Sequence, residues 1–115
     1  EVEDEQLKNG AGYDHNWVLN KTGKEISLAA EVYEPSTGIV MQVKTDQPAI
    51  QFYSGNFMDG SQIGKRGEAH NYRTGIALET QNYPDAPNHE NFPSAVLRPG
   101  ETYTQTCIYS FSVRK

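Results

Sequence analysis

The chain has 115 residues, one domain's worth, and carries 15 acidic against 10 basic side chains for a formal net charge of −5. No basic stripe is present to neutralise phosphates, which argues against nucleic acid as a partner. The scattered Lys and Arg argue against a polybasic membrane patch, and no apolar run reaches the length that spans a bilayer, so a membrane is not an expected partner either and the chain reads as soluble.

Four of the first five residues are acidic and the sequence begins at Glu1 rather than Met. Residues 1–11 therefore read as an acidic tail or linker on a processed or partial product. Asp14, His15 and Asn16 stand beside Trp17 and Val18. Such a grouping suits either a concave ligand wall or a turn leading into a core tryptophan, and residue types leave both open. Asn20 to Lys24 is a turn cluster.

From Ile26 to Glu34 the apolar residues alternate, with Ile26, Leu28, Ala30 and Val32 on one side. Pro35-Ser36-Thr37-Gly38 reverses the chain, and Ile39, Met41 and Val43 form the facing stripe, which predicts a β-hairpin. Ala49–Tyr53 reads as a strand with Gln51 and Tyr53 on one face and Ile50 and Phe52 on the other. Residues 54–74 have no sustained period and read as a long loop.

Gly75 opens another short strand, ending in Glu79. Pro84, Pro87 and Pro93 then exclude a helix and force a shaped loop. A carboxylate at a strand end before a polar loop is the layout of a site on a rigid scaffold, although an ordinary surface acid fits the same pattern. Ser94–Arg98 reads as a short strand, and residues 102–113 as the longest strand, with Cys107 packed as a small hydrophobe. No segment reads as a helix, so the fold class is all-β, a sandwich.

The sequence has no phosphate loop, no nucleophile elbow and no Cys-x-x-Cys. His15, His70 and His89 fall in no ligand spacing, so neither a metal nor a cofactor is expected. Asp14, Gln51, Asn56 and Glu79 are residue types that bind neutral polyhydroxylated ligands. Asp14 with Glu79 could form a glycosidase pair, or one carboxylate could act as a base on an anomeric hydroxyl.

Three stretches, Gly12-Tyr13-Asp14-His15-Asn16, Gln47 through Phe57, and Leu78 through Ala86 with Phe92-Pro93, closely resemble the aldose 1-epimerase (galactose mutarotase) family. Leu97 to Tyr103 resembles the family's closing turn and strand. The resemblance implies a large antiparallel β-sandwich, the mutarotase-like supersandwich, with residues 12–115 as its C-terminal part. It implies exchange of the α and β anomers of hexoses such as galactose and glucose, without a cofactor. Glu79 is then the catalytic base, a task that partial burial of its carboxyl would suit, and Asp14 and Gln51 are the substrate-binding residues.

In the family, the general-acid histidine, a second histidine and a substrate-binding arginine precede the position of Gly12. The missing N-terminal part of the domain is thus the expected partner besides a hexose sugar, and strands lacking it would leave exposed edges. A non-catalytic carbohydrate-binding β-module on the same scaffold is the alternative, a glycosidase ranks third, and the expected compartment is the cytoplasm.

Overall fold

The structure, a computed structural model, describes residues 3–115, so Glu1 and Val2 of the expected tail lie outside the described residues. Two compact units divide the chain, one of Glu1–Trp17 with Gln51–Glu79 and one of Val18–Ile50 with Thr80–Lys115. Strands account for nearly all of the regular structure, in two three-stranded sheets, and the fold is all-β.

In the first unit a short helix, α1 (Glu5–Asn9), stands where a solvated tail was expected. Asp4 explains it: its carboxylate accepts from the amides of Gln6 and Leu7 at 2.9 and 3.1 Å, satisfying donors that a helix start leaves open. Strands β1 (Asp14–Val18), β4 (Ala49–Tyr53) and β5 (Ala77–Gln81) form a sheet in the order β1-β4-β5. Ser54 donates its amide to the Tyr13 carbonyl, and Leu19 to that of Pro48, both at 3.0 Å. Position rises on one strand as it falls on the other, so β1 and β4 are antiparallel, with Asp14 opposite Tyr53 and Asn16 opposite Gln51.

The ring contacts agree with this register. Tyr13 lies 5.7 Å from His15 and 5.8 Å from Phe52, which puts these three on one face and Asp14, Asn16, Gln51 and Tyr53 on the other. Trp17 alternates onto the Tyr13 face and is 52% exposed, so among the described residues it is neither a core tryptophan nor a neighbour of Asp14 on the same face. The long loop over 54–74 is confirmed, apart from one bridge between Ile63 and Ala69.

In the second unit, β2 (Ser27–Glu34) pairs antiparallel with β3 (Ile39–Thr45), and β3 with β6 (Cys107–Val113). The hairpin is as expected. Its stripe is not continuous, because Ala29 is an extra residue between Leu28, opposite Lys44, and Ala30, opposite Val43. This β-bulge puts Leu28 on the face away from Ala30 and Val32, and Leu28 is left exposed. Val43 and Thr45 are the fully buried positions of β3, while Phe111 and Val113, on the same face of β6, are 69% and 67% exposed.

Two expected strand segments are absent, and in each a side chain takes at least one backbone amide. Thr106 donates its amide to the Asp46 carboxylate at 3.0 Å, so β6 begins at Cys107 rather than at 102. Over 94–98, Val96 donates to Ser94 Oγ and Arg98 to Glu101 Oε2, and no strand forms. The prolines also do not exclude all helix, since Ala86–Asn88 forms one 3₁₀ turn with Pro87 in its first positions, where no amide is needed.

Glu34 holds the hairpin turn together. Its carboxyl lies far below the usual range, at about 2, because the Thr37 hydroxyl donates to it at 2.6 Å and contacts from Ser36 and the Thr37 amide add to this. A carboxyl that titrates below its ordinary 4.5 when folded stabilises above that pH and loses the effect as pH falls towards 2. Glu34→Gln should therefore melt below the parent at about pH 7, with the difference closing in acid. A difference in melting temperature that acid does not change would contradict this role.

Candidate functional site

The three residues singled out in the sequence come from three adjacent strands of one sheet: Asp14 starts β1, Gln51 is central in β4, and Glu79 is central in β5. The structure joins two of them directly. Gln51 donates its Nε2 to Asp14 Oδ1 at 2.8 Å, so the carboxylate sets which way the amide points. Glu79 is exposed rather than partly buried, and its side chain takes no hydrogen bond or ion pair among the described residues.

A compact knot at the head of β1 fixes Asp14. The Tyr13 carbonyl accepts from the Ser54 amide at 3.0 Å and from Asn56 Nδ2 at 2.8 Å, and the Tyr13 amide donates to Ser54 Oγ at 3.1 Å. The Ser54 hydroxyl lies 2.7 Å from Asn56 Oδ1, to which it can donate. Asn56 is only 6% exposed, so this candidate sugar ligand is a buried brace instead. Arg73 and Tyr72 hold the preceding turn, both donating to the Ala11 carbonyl, at 3.1 and 3.2 Å, with the guanidinium 4.8 Å above the Tyr72 ring.

Backbone strain gathers at the same place. Ala11 and Arg73 have φ of 53° and 58°, which side chains other than glycine rarely adopt. Gly12 has φ of 145°, and a Cβ there would meet the Asn56 amide and come within 2.7 Å of the Arg73 guanidinium. Ser54, Arg73 and Tyr72 were not singled out as site residues by sequence reasoning. The one available signal was the pairing of Gly12 with Gly55, a second glycine at positive φ, ahead of polar residues.

Residues 1–110 match the family profile described as Aldose 1-epimerase. The chain belongs to the aldose 1-epimerase family. It is 48% identical over 102 residues to the galactose mutarotase of Rattus norvegicus, covering 89% of this chain and 30% of that protein. It is 39% identical over 111 residues to the aldose 1-epimerase of Escherichia coli (strain K12), covering 94% and 32%. Among solved structures it matches a GalM/aldose epimerase homologue from C. elegans with a TM-score of 0.77 and 32% identity, over 90% of this chain and 30% of that one. The chain thus spans about a third of the length of these relatives.

None of the histidines of this aldose 1-epimerase family member stands beside Asp14 and Gln51 on their face of the sheet. His15 is on the opposite face, where its Nδ1 accepts from the Asp14 amide at 3.1 Å. His89 belongs to the second unit, 3.1 Å from Asp85, and His70 to the long loop. Among the described residues no group of three or more His, Cys, Asp or Glu could hold a metal ion. A cavity of about 960 Å³ in the second unit is lined by Leu19, Pro48, Tyr83, Val96, Leu97 and Tyr103 among others, and by none of Asp14, Gln51 and Glu79. Among the described residues no helix is long and apolar enough to cross a membrane.

The knot makes Gly12 the position least able to accept a side chain. Gly12→Ala should cost about 2 kcal/mol by combining a disfavoured φ with overpacking against Asn56. Denaturant unfolding of parent and variant measures this, and a change under about 0.5 kcal/mol would show that the turn gives way without strain.

Proposed function

We propose that this chain carries the base and two sugar-holding residues of an aldose 1-epimerase that exchanges the α and β anomers of a hexose such as galactose or glucose. The observation that carries the reading is the placement of Asp14, Gln51 and Glu79 on adjacent strands of one sheet, with Asp14 and Gln51 already bonded at 2.8 Å. Family membership supports the reaction class.

In that reaction Glu79 takes the proton of the C1 hydroxyl while an acid protonates the ring oxygen. The C1–O5 bond breaks, C1 rotates in the open aldehyde, and closure from the other face returns both protons. An exposed carboxylate without a protein partner has its acceptor sites free for a hydroxyl. Asp14, bonded to Gln51 through one oxygen, keeps further lone pairs for sugar hydroxyls.

The acid comes from protein outside residues 1–115, the N-terminal part of the same domain. His15 is turned to the other face with its Nδ1 engaged, and the relatives are about three times as long as this chain. The uncovered side chains of Ile39, Phe111 and Val113 offer an apolar surface for that part to cover.

Glu79→Gln in the complete enzyme should lower kcat about a hundredfold or more, the scale of losing a general base. Polarimetric decay of α-galactose or α-glucose measures it, and an unchanged rate would remove Glu79 from the mechanism. Residues 1–115 alone should leave the decay at the buffer rate. Sugar binding by the complete protein with no anomer exchange would identify a carbohydrate-binding module instead.

A further inference from the structure

Two buried polar atoms without partners belong to residues that face each other across β1 and β4, beside the Asp14–Gln51 bond. Among the described residues, Asn16 Nδ2 and Gln51 Oε1 are buried and make no hydrogen bond. The β1–β4 register puts Asn16 directly opposite Gln51 at a non-hydrogen-bonded pair, where facing side chains come closest. One atom is a donor and the other an acceptor, yet they are not bonded to each other. Because Asp14 holds Gln51 Nε2, the Gln51 amide cannot turn over to offer a donor instead without losing that bond.

A group that accepts from Asn16 and donates to Gln51 at the same time satisfies both atoms. A hydroxyl does this, whether it belongs to a water or to a sugar. We propose that Asn16 is a positioning residue, which fixes the Gln51 carboxamide through a shared hydroxyl and so keeps Gln51 set to hold the sugar. The proposal rests on the mutarotase reading for its effect on activity, but not for the bridge itself. Asp14 and Asn16 would then secure the two ends of the same amide from two consecutive same-face positions of β1.

Two variants test this in the complete enzyme: Asn16→Leu, which keeps the branched shape and removes the donor, and Asn16→Ser, which restores a donor. With Asn16→Leu, KM for the hexose should rise about fivefold or more while kcat stays within about twofold, as expected for a lost hydrogen bond that acts on binding. Asn16→Ser should recover a substantial part of that KM. A variant that melts earlier but keeps the parent KM would overturn the proposal, since packing alone would then explain Asn16.

Exchange of the Gln51 side-chain amide protons, followed by NMR, gives a readout independent of turnover. It should speed up about fivefold or more in Asn16→Leu, and an unchanged rate would also overturn the proposal. If the complete parent protein exchanges no anomers, the functional reading fails, and the amide protons still decide the bridge. Monodeoxy hexoses separate the two sources. One deoxy sugar that binds parent and Asn16→Leu equally assigns the hydroxyl to the sugar, and a penalty constant across the series assigns it to water.

Discussion

The placement of the candidate site rests on one carbonyl. Tyr13 O accepts from the backbone of Ser54 and from the side chain of the buried Asn56, and together these set the register of β1 on β4. Side chains alternate along a strand, so a slip of one residue would send Asp14 and Asn16 to the face now held by Tyr13 and His15. It would part Asp14 from Gln51 as well. Ala11 and Arg73, two of the three non-glycine residues with positive φ among the described residues, belong to this knot, as do Gly12 and Gly55.

A comparable device anchors the second sheet. Thr45 is fully buried and donates its hydroxyl to the Thr106 carbonyl at 3.0 Å, while Asp46 receives the Thr106 amide. Burial pushes the Asp46 carboxyl up, but the hydrogen bonds from Thr106 and Gln47 outweigh it and hold the group below its ordinary value. Lys21 donates to the Thr45 carbonyl at 2.9 Å, bringing a cation near this carboxylate. The Thr45 end of the sheet is thus pinned by polar contacts, and the Phe111 end presents the exposed apolar side chains of Phe111 and Val113.

Much of this was legible in the sequence, and what was missed has local causes. Period-2 alternation located β3 and the bounds of β4, and Pro35 to Gly38 located the hairpin turn. The family motifs pointed to Asp14, Gln51 and Glu79, of which the structure joins the first two and leaves Glu79 exposed without a partner. Periodicity cannot register an inserted residue, so the bulge at Ala29 and the turned-out Leu28 were missed. Nor does it show that Asp46, Ser94 and Glu101 draw backbone amides out of a ladder, and the strands expected over 94–98 and 102–106 do not form. Asn56 resembled a ligand residue by type alone. Only its burial and its bond to Tyr13 separate a brace from a binding group, and both depend on contacts more than forty residues apart.

The bulge at Ala29 has a consequence for how this strand can vary. Pairing from Ala30 to Glu34 follows β3 one for one, and the surplus is absorbed in a single step before Leu28. Removing Ala29 would restore strict alternation and leave Ser27 and Leu28 opposite Thr45 and Lys44, on the faces they already hold. The outer end of β2 can therefore lose a residue at position 29 without exchanging its faces.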